Sequence, residues 1–139
     1  MRVLIIKLTS MGDLMHALPA LTDATQQFPG ISFDWVVDEA FAEVPLWHPA
    51  VNNVITTSHR RWKKSLWQTL SGGELREFYR ELNLHEYDAV IDMQNNLKSA
   101  LVSFLRRSPV IGLDKNSCRE RPAHLAYQQP ISVDPQQHA

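Results

Sequence analysis

Short apolar segments alternate with segments of helical periodicity along most of this chain. Val3–Ile6 is a continuous apolar run, typical of strands that are covered on both faces. Residues 13–27 place Leu14, Leu18 and Leu21 near one helical face. Because strands that alternate with helices form parallel βαβ units, the pattern predicts a doubly wound α/β sheet. The predicted strands are residues 3–6, 31–37, 51–57, 87–92 and 110–113, and the predicted helices are residues 13–27, 75–84 and 97–106.

The predicted architecture is a Rossmann-like parallel sheet with helices on both faces. Pro19 should kink or restart the first helix, because proline lacks the N–H and clashes with the preceding turn. In open α/β sheets, ligands bind outside the carboxyl ends of the strands. The loops that follow the predicted strands are therefore the candidate sites. They are residues 9–13, 58–64, 92–98 and 114–119.

The composition excludes several classes of protein. The 139 residues carry a formal net charge of −1, which argues against general attraction to nucleic acid, so an electrostatic partner must meet a local patch. The single cysteine, Cys118, excludes an intramolecular disulfide framework and fits a reducing compartment. The histidines lack metal-ligand spacing, so no bound metal is expected. With no signal-peptide pattern and no stretch near the ~20 apolar residues of a membrane span, a cytoplasmic protein is expected.

The segment Ser10-Met11-Gly12-Asp13, directly after the first strand, has two interpretations. It matches the S-x-x-[DE] capping box, in which Ser10 caps the helix and Asp13 reaches back to it. The box does not require Gly12, and a glycine at this turn permits unusual backbone angles and close approach of a ligand. An aspartate at the mouth of a cleft can also act as general base on a sugar hydroxyl. The two roles are compatible.

Residues 59–67, HRRWKKSLW, concentrate positive charge on a nearly neutral chain. An isolated charge run is usually a solvated loop, but this one follows a predicted strand and is interleaved with Trp62 and Trp67, a residue type enriched at interfaces. Arginine suits phosphate and carboxylate recognition, so a phosphorylated or carboxylated acceptor is expected, and nucleic acid is disfavoured. The basic residues are Arg60, Arg61, Lys63 and Lys64.

Two further strand-end loops carry candidate residues. Lys98 lies in the first turn of a predicted helix, where a cation is unfavourable for the helix dipole and an anionic partner would compensate it. The alternative is a surface lysine whose stem lies along the helix. Arg119 either completes a basic rim with Arg60 and Arg61 or is simply solvated.

Several segments together resemble one known family. The chain is similar, over essentially its whole length, to the ADP-heptose:lipopolysaccharide heptosyltransferases, and Ser-Met-Gly-Asp is the most specific part of the likeness. One departure is Asn95 after Gln94, where the family often has glycine. The segments that carry the resemblance are MRVLIIKLTSMGDLMHALPALTDA, ISFDWVVDEAFAEVPLWHPAVNNVI, RRWKK, YDAVIDMQNNLKSA and SCRERP.

The resemblance implies a two-domain glycosyltransferase of the GT-B type. Residues 1–127 would form its acceptor-binding domain and residues 128–139 the start of the linker to a nucleotide-sugar domain outside this chain. The implied reaction transfers L-glycero-D-manno-heptose from ADP-heptose to Kdo of Kdo-lipid A, with inversion and without a metal ion or cofactor. The implied location is peripheral, at the cytoplasmic face of the inner membrane of a Gram-negative bacterium. This chain alone is expected to be inactive, because catalysis needs a cleft closed by two domains.

The resemblance also implies roles for individual residues. Asp13 matches the general base that deprotonates the acceptor hydroxyl, and Ser10 and Gly12 beside it are expected to bind the acceptor. Two alternatives remain: a related enzyme that acts on the next heptose, and a non-catalytic module that binds an anionic glycolipid. The basic residues expected to bind the anionic acceptor are Arg60, Arg61, Lys63, Lys64, Lys98 and Arg119.

Overall fold

The computed structural model describes residues 1–134. Within them, six parallel strands form one sheet in the order β3-β2-β1-β4-β5-β6. The central strand β1 pairs with β2 on one side and with β4 on the other, so the strand order reverses beside it. The strands are β1 (Arg2–Ile6), β2 (Ser32–Asp38), β3 (Val51–Thr57), β4 (Ala89–Asp92), β5 (Ile111–Leu113) and β6 (Gln129–Ile131).

Helices cover both faces of this sheet, so the predicted Rossmann-like fold is confirmed. Three short 3₁₀ segments, at Glu39–Phe41, Pro45–Trp47 and Arg121–Ala126, add to them. The α-helices of the described residues are α1 (Met11–Gln27), α2 (His59–Lys64), α3 (Leu66–Ser71), α4 (Glu74–Leu82) and α5 (Leu97–Leu105).

Alternating side chains of β1 build two separate cores. Leu4 and Ile6 lie in the core that α4 and α5 cover, whereas Val3 and Ile5 lie in the core that α1 covers. Successive side chains of a strand point to opposite faces, so a strand with helices on both sides is apolar throughout. Trp35 of β2 is fully buried in the α1 core, and its indole N–H donates to the Lys7 carbonyl (2.9 Å).

Helix α1 continues through Pro19 as one helix, so of the two expected effects the restart is wrong and the kink stays a prediction. Proline removes one backbone hydrogen bond. Leu14, Ala17 and Leu21 of the same helix are buried against the sheet, and this packing holds the helix together on both sides of the proline.

Two α-helices and one strand were not predicted from the sequence. Helices α2 and α3 have only six residues each. Four of the six residues of α2 are basic, so its sequence shows no apolar stripe. Strand β6 is short and exposed, and its Pro130 is tolerated because β6 is an edge strand. The sheet thus continues to Ile131, past the predicted domain end at residue 127. Residues 135–139 of the expected linker lie outside the described residues.

A buried carboxylate fastens the sheet to the segment before β6. Asp92, at the end of β4, accepts a hydrogen bond from the Tyr127 hydroxyl (2.7 Å) and two from the backbone N–H groups of Gln94 (2.8 Å) and Asn95 (3.0 Å). Burial and the neighbouring Asp92 charge raise the pKa of Tyr127, so the phenol remains a donor at neutral pH. A buried charge is tolerated only when it is bonded in this way.

Replacing Tyr127 with phenylalanine should lower the free energy of unfolding by about 1–3 kcal/mol, because one oxygen of the buried Asp92 carboxylate loses its principal donor. Urea unfolding of the variant and the wild-type chain measures this difference. The free energy of unfolding should fall with urea concentration at the same slope in both. Tyr79→Phe is the matched control, since the Tyr79 hydroxyl bonds the exposed Arg107 (2.9 Å). Equal effects of the two variants would contradict the role given to the Asp92 network.

Candidate functional site

The candidate site lies at the carboxyl edge of the sheet, where the strand order reverses between β1 and β4. Gln94, in the loop after β4, joins the two loops that meet there. Its Oε1 accepts hydrogen bonds from the backbone N–H groups of Leu8 (3.1 Å) and Thr9 (3.3 Å), and its Nε2 donates to Thr9 Oγ1 (3.3 Å). One side chain therefore fixes the backbone that leads into Ser10 and Asp13.

Asn95, the next residue, has a backbone conformation that few residues adopt. Its φ is 54°, in the left-handed region that glycine and asparagine visit most readily. Its Oδ1 accepts a hydrogen bond from the backbone N–H of Leu113 (2.9 Å), which ties the loop to β5. Asparagine can therefore stand at the position where the resembling family often has glycine.

Asp13 is exposed at the first turn of α1 and is bonded to Ser10. The backbone N–H and the hydroxyl of Ser10 both donate to Asp13 Oδ2, at 3.2 and 3.1 Å. These bonds lower the pKa of Asp13, and the positive charges of Lys7 and Arg119 lower it further. The carboxylate reaches back to Ser10 as the capping box predicts, and it is ionised at neutral pH.

Lys7 is a residue that the sequence reasoning missed. It directly follows β1, and its Nζ donates to the Met93 carbonyl (3.1 Å). Burial lowers the pKa of Lys7, while the negative charges of Asp13 and Asp92 oppose that effect. The available signal was a lysine directly after an apolar strand, at the edge where ligands bind.

A cleft of about 790 Å³ opens beside this turn. It brings together four of the predicted acceptor-binding residues: Ser10 at the N-cap of α1, Arg60 and Lys63 on α2, and Lys98 on α5. Asp38 and His59 also line it, and neither was predicted. The apolar part of its lining comes from Leu8, Phe41, Trp62, Leu75, Leu97 and Leu101.

Arg61 lies on a different side of α2 from Arg60. Its guanidinium donates to Ser58 Oγ (2.7 Å) and pairs with the carboxylates of Glu39 (3.1 Å) and Glu74 (2.5 Å). These contacts line a second cavity of about 440 Å³. In this structure, Arg61 ties α2 to the segment after β2 and to α4.

The remaining predicted residues lie outside the lining of the cleft. Lys64 is exposed at the end of α2, and Arg119 is exposed in the loop after β5, near enough to Asp13 to lower its pKa. Gly12 is exposed within the first turn of α1, and its backbone is helical, so no unusual angle requires glycine there. A Cβ built on Gly12 would meet no atom within 4 Å, so open space lies over this turn.

The two tryptophans of the basic segment differ. Trp62 is half-buried, with its ring 5.4 Å from that of Phe78 in an edge-on contact, so it joins the cleft to the core. Trp67 of α3 is 87% exposed. The sequence suggests an interface at both tryptophans, and this stays a prediction. Trp67 offers a partner far more exposed surface than Trp62 does.

Two absences hold for the described part of the chain. Residues 1–134 contain no group of three or more His, Cys, Asp or Glu side chains placed to hold a metal ion. No helix in the same range has the length and apolar character that a membrane crossing requires.

Known proteins resemble this chain along its full length. The family model described as glycosyltransferase family 9 (heptosyltransferase) matches residues 75–139. Lipopolysaccharide heptosyltransferase 1 of Pseudomonas aeruginosa is 54% identical over 100% of this chain, and that of Escherichia coli K12 is 49% identical over 100% of it. The chain spans 39% and 44% of the lengths of these two relatives.

Solved structures show the same fold. The structure of the E. coli heptosyltransferase WaaC with ADP-2-deoxy-2-fluoro heptose matches 99% of this chain and 44% of that chain, with a TM-score of 0.93 and 47% identity. E. coli ADP-heptose lps heptosyltransferase II matches with a TM-score of 0.70 at 20% identity, which supports the fold alone. Over its full length this chain is therefore similar to part of the lipopolysaccharide heptosyltransferase 1 enzymes, and residues 75–139 match the model of glycosyltransferase family 9.

Proposed function

We propose that this chain is the acceptor-binding part of a lipopolysaccharide heptosyltransferase. The proposed enzyme transfers L-glycero-D-manno-heptose from ADP-heptose to Kdo of Kdo-lipid A, with inversion and without a metal ion or cofactor. One observation carries the proposal: the Asp13 carboxylate is bonded to Ser10, and Ser10 lines a cleft with Arg60, Lys63 and Lys98. A base beside a cationic cleft is what transfer to an anionic sugar requires.

Asp13 acts as the general base in this mechanism. As the acceptor hydroxyl attacks the anomeric carbon and ADP leaves, Asp13 takes the hydroxyl proton. Both bonds from Ser10 end on Oδ2, so Oδ1 is the oxygen assigned to the acceptor hydroxyl. The lowered pKa keeps the base ionised at neutral pH and makes it a weak base. The strongly favourable departure of ADP offsets that weakness.

The cations of the cleft bind the acceptor. Arg60 and Lys63 lie one helical turn apart on α2, and Lys98 faces the same cleft from α5. Together they match the carboxylate of Kdo and the phosphates of lipid A. Arg119, whose positive charge reaches Asp13, and Lys64, exposed at the end of α2, are assigned to the same acceptor.

The remainder of the proposed enzyme binds the donor. This chain spans about two fifths of the relatives, so contacts to the adenosine and diphosphate are assigned to the part that it does not span. We assign the acceptor domain to residues 1–131, which extends the expected residues 1–127 to include β6, and the start of the interdomain linker to the residues that follow. The chain alone does not turn over, because the reaction needs a cleft closed from two sides.

The protein is proposed to work peripherally at the cytoplasmic face of the inner membrane of a Gram-negative bacterium. The acceptor is anchored there by its acyl chains. The cations around the cleft favour an anionic lipid surface. The exposed Trp67 lies on α3, the helix that follows α2, and tryptophan is enriched at membrane interfaces.

Asp13→Asn in the full-length protein should lower kcat about 10²–10⁴-fold, because the amide cannot accept the acceptor proton. Asparagine keeps an oxygen that can accept the hydrogen bond from the Ser10 N–H, so the melting temperature should change little. Release of ADP and thermal unfolding measure the two effects. A loss of activity that parallels a loss of folded protein would contradict the catalytic role and support capping alone.

Arg60→Ala and Arg61→Ala form a matched pair on α2. Arg60→Ala should raise KM for the lipid acceptor about tenfold and leave KM for ADP-heptose unchanged, because a charge-assisted contact to the acceptor is lost.

Arg61→Ala should instead speed amide exchange across α2, because its ties to Glu39 and Glu74 are lost. Steady-state kinetics and hydrogen exchange separate the two variants.

An Arg60→Ala enzyme with an unchanged KM for the acceptor would contradict the assignment of this cleft to the acceptor. Faster transfer to a heptosylated acceptor than to Kdo-lipid A would place the enzyme at the next heptose.

A further inference from the structure

His59 is a titratable residue of the cleft that the proposed mechanism does not use. It is the first residue of α2, directly before Arg60, and it is half-buried. Its ring meets Trp62 edge-on, with the centroids 5.5 Å apart. The two rings form one wall of the same cleft to which Ser10 and Lys98 contribute.

The Nε2 atom of His59 is buried and has no hydrogen-bond partner within residues 1–134. A proton placed on this atom would have no acceptor, so the neutral ring with its proton on Nδ1 is favoured. The same situation holds for the buried indole N–H of Trp62, which also lacks a partner in the described chain. Two polar groups of one wall are thus left unsatisfied beside a cationic cleft.

Charged groups reach His59 from each element around it. Burial lowers the pKa of His59, the positive charge of Lys98 on α5 lowers it further, and the carboxylate of Asp38 at the end of β2 opposes them. Arg60 and Lys63, on the same helix as His59, line the cleft beside it. One cation and one carboxylate therefore act on this ring, two further cations line the same cleft, and the ring is neutral at neutral pH.

We propose that His59 is an additional acceptor-binding residue, which takes up one proton from solvent when a carboxylate or phosphate of the acceptor enters the cleft. The proposal rests on the proposed function, since it concerns the same cleft. An entering anion cancels the repulsion between Lys98 and a protonated ring, and it gives the imidazolium a negative partner. By linkage, a ligand that favours the protonated ring binds more tightly as the ring becomes protonated.

The sign of the pH dependence follows from this linkage. The pKa of His59 is lower in the empty cleft than in the complex. Affinity for the anion therefore rises as pH falls through the pKa of the complex, and it levels off below the pKa of the empty cleft. At pH values above both, His59 contributes no charge to binding.

The test uses this chain and Kdo, a soluble sugar with one carboxylate, as the probe. NMR titration of the ring protons gives the pKa of His59 with and without saturating Kdo, and calorimetry gives the dissociation constant at pH 5.5 and pH 8. The pKa of His59 should rise on binding. The affinity of the wild-type chain should be about threefold to tenfold higher at pH 5.5 than that of His59→Gln, and the two should agree at pH 8.

His85→Gln is the matched control. His85 precedes β4 at the opposite edge of the sheet, so its replacement should leave the pH dependence of Kdo binding intact. The NMR titration of the wild-type chain needs no variant, so it decides the matter even if His59→Gln folds poorly.

Two results would overturn the inference, and they differ in what else they remove. Kdo binding with an unchanged pKa of His59 would overturn the role of His59 and leave the acceptor site in place. An absence of Kdo binding at every pH would overturn the acceptor site and the role of His59 together.

Discussion

The pairing of β1 between β2 and β4 is the constraint on which the site depends. It places the loops after β1 and β4 side by side, and the Gln94 amide then bonds both Leu8 and Thr9 across that junction. The same loop begins at the buried Asp92, whose carboxylate accepts a hydrogen bond from the N–H of Asn95, a residue in the left-handed conformation. The buried end of β4 therefore also fixes the position of this loop. The turn that presents the candidate base is thus held by a neighbouring strand.

In the proposed reaction, the side chain of Asp13 satisfies both a structural and a chemical requirement. Ser10 donates two hydrogen bonds to its carboxylate, which stabilises the start of α1 and the ionised form together. A carboxylate that is hydrogen-bonded in this way is available as a base at neutral pH, although each donor lowers its affinity for a proton. The compromise suits a reaction in which the leaving group is good and the base needs only to remove a proton late.

Helical geometry places the basic residues of α2 on two different faces of the helix. Arg60 and Lys63 are three residues apart, so they share the face of α2 that lines the cleft. Arg61 points about 100° away, since successive helical residues are rotated by that angle. There it meets Glu39 and Glu74, whose carboxylates would repel an anionic acceptor. A run of four cations in the sequence is therefore two different surfaces in the fold.

Sequence patterns alone predicted the parallel α/β fold, the sheet edge where the candidate site lies and the Ser10–Asp13 capping interaction, because apolar periodicity and local hydrogen bonds depend on residues close in the chain. Only the packing of the folded chain shows that β6 joins the sheet. It alone brought His59 beside Lys98, and it alone directed Arg61 toward Glu74. These contacts join residues far apart in sequence, and the short helix α2 carries no apolar stripe that would reveal which face it buries.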